Sequence, residues 1–114
     1  MPKRRERVAP PPAPSGWDIR YATSEAIKGW EKVCAAAPAN ARVAWERITT
    51  DTRRHNDRQH PLKGALGTCV VKGETFDQWQ YEVTAGGRLW YGIDDTRRIV
   101  WLTVASTSHP KATD

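Results

Sequence analysis

Basic and imidazole side chains stand next to predicted strands at three places in the second half of the chain. The stretch "RQHPLKG" holds His60 and Lys63, Arg88 opens a later strand after two glycines, and His109 follows the last strand. An imidazole can take or give a proton near neutral pH, and a guanidinium binds phosphate oxygens through a planar, charged fork. Consecutive antiparallel strands could bring Lys63, Arg88 and His109 to one sheet face. Such groups suffice for metal-free RNA cleavage, in which the ribose 2′-hydroxyl attacks its own phosphate.

Each of these residues also has an ordinary structural explanation. Arg88 can be an exposed strand arginine paired with Glu82, and the segment around His60 can be a solvated loop before a proline. Trp90 could stack on a nucleotide base, but a tryptophan on a small sheet more often packs in the core or at an edge. Taken singly, each residue favours the structural explanation, and only their convergence on one face favours a site.

Other chemistries find little support in the sequence. Three scattered histidines and two cysteines match no metal-ligand spacing, so we predict no bound metal and no cofactor. No glycine-rich loop precedes a helix as a phosphate cradle would, and Ser106, Ser108 and His109 stand too close together for a hydrolase triad. Cys34 and Cys69 are predicted to be reduced structural residues, which fits a cytoplasmic protein.

The chain has 114 residues and is basic, with 18 Lys and Arg against 13 Asp and Glu. This length allows one domain with a single core. The charge favours polyanionic partners, of which nucleic acid is the commonest, although basic domains also bind acidic proteins. Residues 1–16 are predicted to be a flexible, basic and Pro-rich arm that either lacks a fixed partner or adds phosphate affinity, and residues 17–114 the folded domain. No apolar stretch indicates secretion or a membrane span.

Hydrophobic periodicity predicts the elements that must position these side chains. "WDIRYA" alternates like a strand, and two helices follow, the first capped by Thr23 or Ser24 and ending near Pro38. "GTCVVKGETFDQWQYEV" predicts two strands joined at Lys72 and Gly73, and "RLWYGI" and "RIVWLTVAS" add two more, the last central or well buried. We predict an α+β fold: an N-terminal strand and an α-helical hairpin packed on one face of a twisted, mainly antiparallel sheet, whose other face is an open surface.

The ordered motifs in "HPLKGAL…WQYEVTAGGRLWYGIDDTRRIVWLTVASTSHPK" resemble those of the RelE/ParE superfamily of bacterial toxins from toxin–antitoxin systems. They are an LKG-type start, an arginine opening the next-to-last strand, a YxIDD turn and a histidine after the last strand. The resemblance covers about residues 17–112 and is closest to RelE and YoeB members, which are ribosome-dependent mRNA endonucleases. It implies a cytoplasmic mRNA interferase that acts in the ribosomal A site, inhibits translation and is neutralised by a cognate antitoxin protein.

The resemblance also implies roles for single residues. Lys63 would bind RNA and polarise the 2′-hydroxyl, and His60 would be the base where YoeB-like members carry a glutamate. Arg88 would clamp the scissile phosphate, and His109 would be the general acid, followed by Pro110 where many members have a tyrosine. Further RNA contacts are predicted for Arg58, Trp90, Arg97, Arg98 and Lys111.

Two alternatives stay open on the same scaffold. A ParE-like toxin would inhibit DNA gyrase without cleaving RNA, and a protein-interaction module would have no catalytic role. The joint presence of His60, Lys63, Arg88 and His109 argues against the ParE-like alternative, but a fold alone does not decide function.

Overall fold

The computed structural model of the protein describes residues 3–6 and 16–108. Its elements follow in the order strand β1 (Asp18–Tyr21), helices α1 (Ser24–Ala36) and α2 (Pro38–Thr50), and strands β2 (Gln59–Pro61), β3 (Thr68–Val71), β4 (Glu74–Glu82), β5 (Arg88–Asp94) and β6 (Ile99–Ser106). A 3₁₀ helix at Gly64–Gly67 joins β2 to β3. The predicted α+β class is confirmed. Within the described residues, no helix has the length and apolarity needed to cross a bilayer.

The strands form one six-stranded sheet in the order β1-β6-β5-β4-β2, and β3 pairs with β4 along the same edge as β2. β1 runs parallel to β6, whereas all other pairs are antiparallel. The apolar strand β6 is therefore central, as predicted. The β3–β4 turn falls at Lys72 and Gly73, as also predicted, and their φ angles of 53° and 79° are typical of a type I′ hairpin.

The helices cover one face of the sheet and form the core with it. Thr23 caps α1 as predicted: its hydroxyl accepts a hydrogen bond from the Ala26 N–H at 3.0 Å and donates to the Thr103 carbonyl of β6 at 2.9 Å. This side chain thus fixes both the first residue of α1 and its position on the sheet. The buried apolar side chains on this face include Ile27, Val33, Ala44, Ile48, Trp79, Tyr81, Leu89, Tyr91, Val100 and Leu102.

Helix α1 comes closest to the sheet at Gly29. A Cβ atom at this position would lie 1.9 Å from the Ala105 carbonyl oxygen of β6 and 3.1 Å from the Ala105 Cβ. The first of these distances is far below any real contact, and it involves a backbone atom that cannot rotate away. Glycine is therefore what allows the helix backbone to lie directly on the strand.

The sheet face opposite the helices is covered, which corrects the prediction of an open surface. Every residue of β5 is buried, although alternate residues point away from the helices. Cys69 of β3 lies over Gly92, where a Cβ atom would be 2.6 Å from its Sγ, and Gln78 donates to the Leu66 carbonyl at 2.9 Å. Residues of β3 and of the 3₁₀ helix thus cover this face at Gly92 of β5 and at Gln78 of β4. Because both faces of β5 are covered, its side chains do not alternate between apolar and polar, and its sequence could not show that the second face is buried.

Candidate functional site

One row of residues crosses the sheet where β5 begins. Arg88 pairs with Glu82 on β4 and with Ser106 on β6, and the Arg58 carbonyl accepts a hydrogen bond from the Glu82 N–H at 2.7 Å. Side chains of directly paired residues share a face, so Glu82, Arg88 and Ser106 point away from the helices together. We call these three residues, with Arg58 at the sheet edge, the Arg88 row.

The turn before β5 holds the Arg88 guanidinium in place. Its Nη1 donates to the carbonyl oxygens of Thr84, Ala85 and Gly87, at 3.2, 3.1 and 3.1 Å. The side chain is only 9% exposed, and its buried Nε has no hydrogen-bond partner within the described ranges. Arg88 is thus oriented in advance through Nη1, while its Nε and Nη2 make no hydrogen bond within the described residues.

His60 lies one row further along the sheet on the same face. It pairs with Gln80 on β4, which in turn pairs with Trp90 on β5. The His60 Nδ1 stands 3.1 Å from the Pro61 carbonyl oxygen. Because a carbonyl can only accept, this contact is a hydrogen bond when Nδ1 carries the proton, and that tautomer leaves the Nε2 lone pair available as a base.

His60 and Lys63 line one groove along the β2 edge of the sheet. The groove has a volume of about 620 Å³ and is formed by His55, Asn56, Asp57, His60, Pro61, Leu62 and Lys63. We call it the His60 groove. The His55 ring packs edge-on against Trp79, with 6.0 Å between ring centroids. The groove therefore combines two imidazoles, one exposed ammonium and one carboxylate on an open surface.

The predicted meeting of Lys63 with Arg88 is not seen. The Leu62 N–H donates to the Gln78 carbonyl at 3.0 Å, which places it four residues along β4 from Glu82, the partner of Arg88. At about 3.3 Å per residue this is a separation of roughly 13 Å along the strand, and Lys63 follows Leu62 in the same direction. Arg58 and His60, instead of Lys63, are the basic residues that β2 brings near Arg88.

Arg97 and Arg98 lie at the opposite end of the sheet from Arg88. They belong to the β5–β6 turn, six residues of extended strand or about 20 Å beyond Arg88. Arg97 pairs with Glu74 at 3.0 Å and with Asp94 at 2.7 Å, and the Arg98 guanidinium lies 5.0 Å from the Trp17 ring centroid. Both arginines make contacts that hold this turn, so they do not extend the Arg88 row.

The Asp94–Arg97 pair gives a pH prediction. Asp94 is 2% exposed; burial raises the pKa of its carboxyl group, but the hydrogen bonds from the Arg97 side chain and N–H outweigh this and lower the pKa below its usual value. A lowered native pKa stabilises the fold above the unfolded pKa of about 3.9, and this contribution is lost as the pH falls through the native value. We expect urea titrations of Asp94→Asn to show a shallower stability loss below about pH 4 than the unaltered protein; equal slopes would contradict the assignment.

Trp90 does not present a face for base stacking. Its ring is 5% exposed, and its indole N–H donates to the Gln80 Oε1 at 2.9 Å. Its backbone carbonyl accepts from the Thr103 hydroxyl at 3.1 Å, and the same hydroxyl donates to Gln78 at 2.6 Å. Trp90 therefore belongs to a buried polar network, and we do not carry it forward as an RNA contact.

His109 and Lys111 lie outside the described residues. The described chain ends at Ser108, two residues beyond Ser106 of the Arg88 row. There the Ser106 hydroxyl donates to the Ser108 carbonyl at 2.6 Å and accepts from the Ser108 N–H at 3.1 Å. The turn formed by Ser106–Ser108 therefore begins at Ser106, the β6 residue that pairs with Arg88.

Comparisons with protein-family models, curated proteins and solved structures found no match. What the site can do follows from the chemistry of its own residues. Across residues 3–6 and 16–108, no three His, Cys, Asp or Glu side chains are grouped so that they could hold a metal ion. The site instead offers a proton acceptor, His60, and a fixed cation, Arg88, on the same face.

One positioning residue carried no signal in the sequence. Gln59 of β2 is 1% exposed, and its side-chain amide donates to the carbonyl oxygens of Asp51 and Thr52 and to the Tyr91 hydroxyl, at 3.0, 3.2 and 3.0 Å. The Tyr91 hydroxyl donates to the same Thr52 carbonyl at 3.0 Å. Gln59 thus ties β2, which carries His60, to the end of α2 and to β5. Because Gln59 stands in a polar, charged stretch, the sequence predicts an exposed loop residue, and only its distant hydrogen-bond partners show that it is buried.

Proposed function

We propose that this chain is a RelE/ParE-type toxin that cleaves RNA without a metal ion, acting on mRNA in the ribosomal A site and thereby inhibiting translation. The element order supports the proposal: a strand and a helix hairpin precede consecutive antiparallel strands in an α+β fold, the order expected from the family resemblance. The proposal also takes the basic character of the chain, 18 Lys and Arg against 13 Asp and Glu, as the attraction for a polyanion.

The relation between His60 and Arg88 is the observation that carries the proposal. The two residues lie on the same sheet face, two strands apart and one side-chain row apart. With strands about 4.8 Å apart and two residues spanning about 6.6 Å, their Cα atoms are roughly 12 Å apart. The Arg88 guanidinium bonds to the β4–β5 turn and the His60 Nδ1 lies at the Pro61 carbonyl, so a bound RNA strand has to bridge the gap between the two groups.

The chemistry would use each group once. The His60 Nε2 accepts the proton of the ribose 2′-hydroxyl, whose oxygen attacks the adjacent phosphorus. The Arg88 Nη2, which makes no hydrogen bond within the described residues, donates to the charged oxygens of the five-coordinate phosphate as negative charge builds up. The bond to the 5′-oxygen breaks, and that oxygen takes a proton, a role that the family resemblance gives to His109. The products are a 2′,3′-cyclic phosphate and a free 5′-hydroxyl.

Cleavage of ribosome-bound mRNA by the purified protein tests the proposal. We expect Arg88→Lys to lower the cleavage rate by about 100-fold or more, because an ammonium can still donate to the carbonyls around it but lacks the fork that binds phosphate. His60→Gln should lower the rate by at least about 100-fold. Arg42→Gln is the matched control, since Arg42 is exposed on α2, where it pairs with Glu46. Unchanged cleavage by both site variants would overturn the residue assignment, and intact RNA with the unaltered protein would overturn the proposed activity.

The burial of Arg88 favours a second candidate, a ParE-like toxin that inhibits DNA gyrase or another non-catalytic binding protein. A guanidinium that is 9% exposed and bonded to three carbonyls can serve to close the β4–β5 turn alone. In that case Arg88→Lys would change the melting temperature and leave growth arrest intact. DNA damage with intact transcripts on expression would identify gyrase as the target.

A cognate antitoxin protein is part of the proposal, because it distinguishes a toxin from an ordinary nuclease. Expression of the chain alone should arrest growth, and co-expression of the neighbouring gene should restore it. Growth arrest that no adjacent gene relieves would argue against the toxin–antitoxin class while leaving the nuclease chemistry to the cleavage assay.

A further inference from the structure

The described part of the arm, residues 3–6, is attached to the free edge of the sheet. The Arg5 N–H donates to the Tyr21 carbonyl, and the Tyr21 N–H donates to the Glu6 carbonyl at 3.1 Å. The Glu6 N–H donates to the Lys3 carbonyl at 3.2 Å, which closes a turn in which Arg5 has a φ of 71°. Arg20 of β1 adds a bond from its Nη1 to the Arg5 carbonyl at 3.3 Å. This segment is therefore a turn anchored on Tyr21 at the outer edge of β1.

The attachment gathers cations around one groove. The groove has a volume of about 510 Å³ and lies between this segment and α1, lined by Lys3, Arg4, Arg5, Ser24, Ile27, Lys28 and Glu31. A second groove of about 340 Å³ continues from Arg4 and Arg5 to Lys72 in the β3–β4 turn. We call the two together the arm groove.

The cations of the arm groove differ from most other arginines of the protein. Arg20, Arg42, Arg53, Arg54 and Arg97 each form an ion pair with a carboxylate. Within residues 3–6 and 16–108, no such pair involves Lys3, Arg4, Arg5, Lys28 or Lys72, and all five side chains are exposed. The unpaired, exposed cations on these three segments create a positive surface potential, which attracts a chain of phosphates.

We infer that the arm groove binds the sugar–phosphate backbone of RNA, as a second contact surface separate from His60 and Arg88. It lies between the arm, α1 and the β3–β4 turn, and it shares no lining residue with the His60 groove. An open trough with cations spread along it suits an extended polyanion better than a single small anion. The inference rests on the proposed function only for the choice of RNA over another polyanion.

Fluorescence anisotropy with a 2′-O-methylated RNA 20-mer tests the inference. This probe cannot be cleaved by attack of a 2′-hydroxyl, so binding is measured whether or not the protein is a nuclease. We expect the double variant Arg4→Gln/Lys28→Gln to bind about 20-fold more weakly at 0.1 M salt, with a salt slope about 1.4 smaller, because each phosphate contact on single strands contributes about 0.7 to that slope. The control Arg42→Gln/Arg47→Gln removes the same charge from α2 and should alter binding less than about threefold.

Glu6→Pro distinguishes a built groove from a loose charged tail. The substitution keeps every cation and raises the net charge by one, but it removes the Glu6 N–H and disfavours the backbone conformation of Arg5. We expect about fivefold weaker binding, the loss of roughly one phosphate contact. Equal or tighter binding by Glu6→Pro, or equal losses in the two double variants, would overturn the inference. Binding of polyglutamate as tight as that of the RNA probe would also overturn it, in favour of an acidic protein partner.

Discussion

Gly29→Ala should lower the free energy of unfolding by about 3 kcal/mol, the upper end of the usual cost of overpacking. In an ordinary helix the same change would stabilise by almost 1 kcal/mol, so the sign of the effect reports the packing and not the helix propensity. Here the new Cβ would stand 1.9 Å from the Ala105 carbonyl oxygen, and α1 must move away from β6 to admit it. A loss of this size corresponds to roughly 15 °C in melting temperature, measurable by circular dichroism.

Two further variants check the cause of this loss. Gly86→Ala is the matched control, because its Cβ would lie at an ordinary 3.5 Å from the Thr107 carbonyl oxygen; we expect a change below about 0.5 kcal/mol. Adding Ala105→Gly to Gly29→Ala should not restore stability, since the severe contact is with the backbone of residue 105. A stabilised Gly29→Ala protein would mean that α1 does not lie on β6 as described.

Gln59→Ala should cost about 3 kcal/mol in the free energy of unfolding, because it leaves a cavity and deprives buried acceptors of their donor. Gln59→Met keeps most of the volume and should cost about 2 kcal/mol, which isolates the hydrogen-bonding part. Chemical denaturation measures both. Amide hydrogen exchange should also quicken in β2 and in the segment joining it to α2, since Gln59 connects them.

A double-mutant cycle with Tyr91→Phe tests whether Gln59 acts through the tyrosine. The two side chains share the Thr52 carbonyl and bond to each other at 3.0 Å, so their effects should be non-additive by about 1 kcal/mol. Under the proposed function, Gln59→Met should also reduce RNA cleavage, as His60 is the next residue of β2. Additive stability effects would show that the network does not function as a unit.

Local patterns predicted the elements well, because each element carries its own period. Trp79, Tyr81 and Val83 alternate with Gln78, Gln80 and Glu82 along β4 and the residue after it, and the first set lies in the core with the helices. The Thr23 cap and the turn at Lys72 depend on a few neighbouring residues, and both were predictable for that reason.

The site was only partly predictable, since its geometry depends on contacts between distant residues. β2 has three residues and no alternation, and it is held by bonds from Gln59 to Tyr91, 32 positions later. Because the sequence did not predict β2, it could not indicate that His60, and not Lys63, lies on the same sheet face as Arg88 and one side-chain row away from it. The cover over the second face of β5 could not be predicted either, because it depends on the positions of Leu66 in the 3₁₀ helix and of Cys69 in β3.

The parallel pairing of β1 with β6 also has a consequence for the timing of synthesis. β1 is synthesised about 80 residues before residues 99–102, its strand partner in the described part of the chain. A growing chain that lacks β6 has no strand on which α1 can pack at Gly29. It also lacks Ser106, the β6 residue that pairs with Arg88. Such a long sequence separation between partners slows folding. The fold is therefore completed only after β6 has been made, and a nascent chain that lacks β6 should lack the paired Arg88 row on which the proposed activity depends.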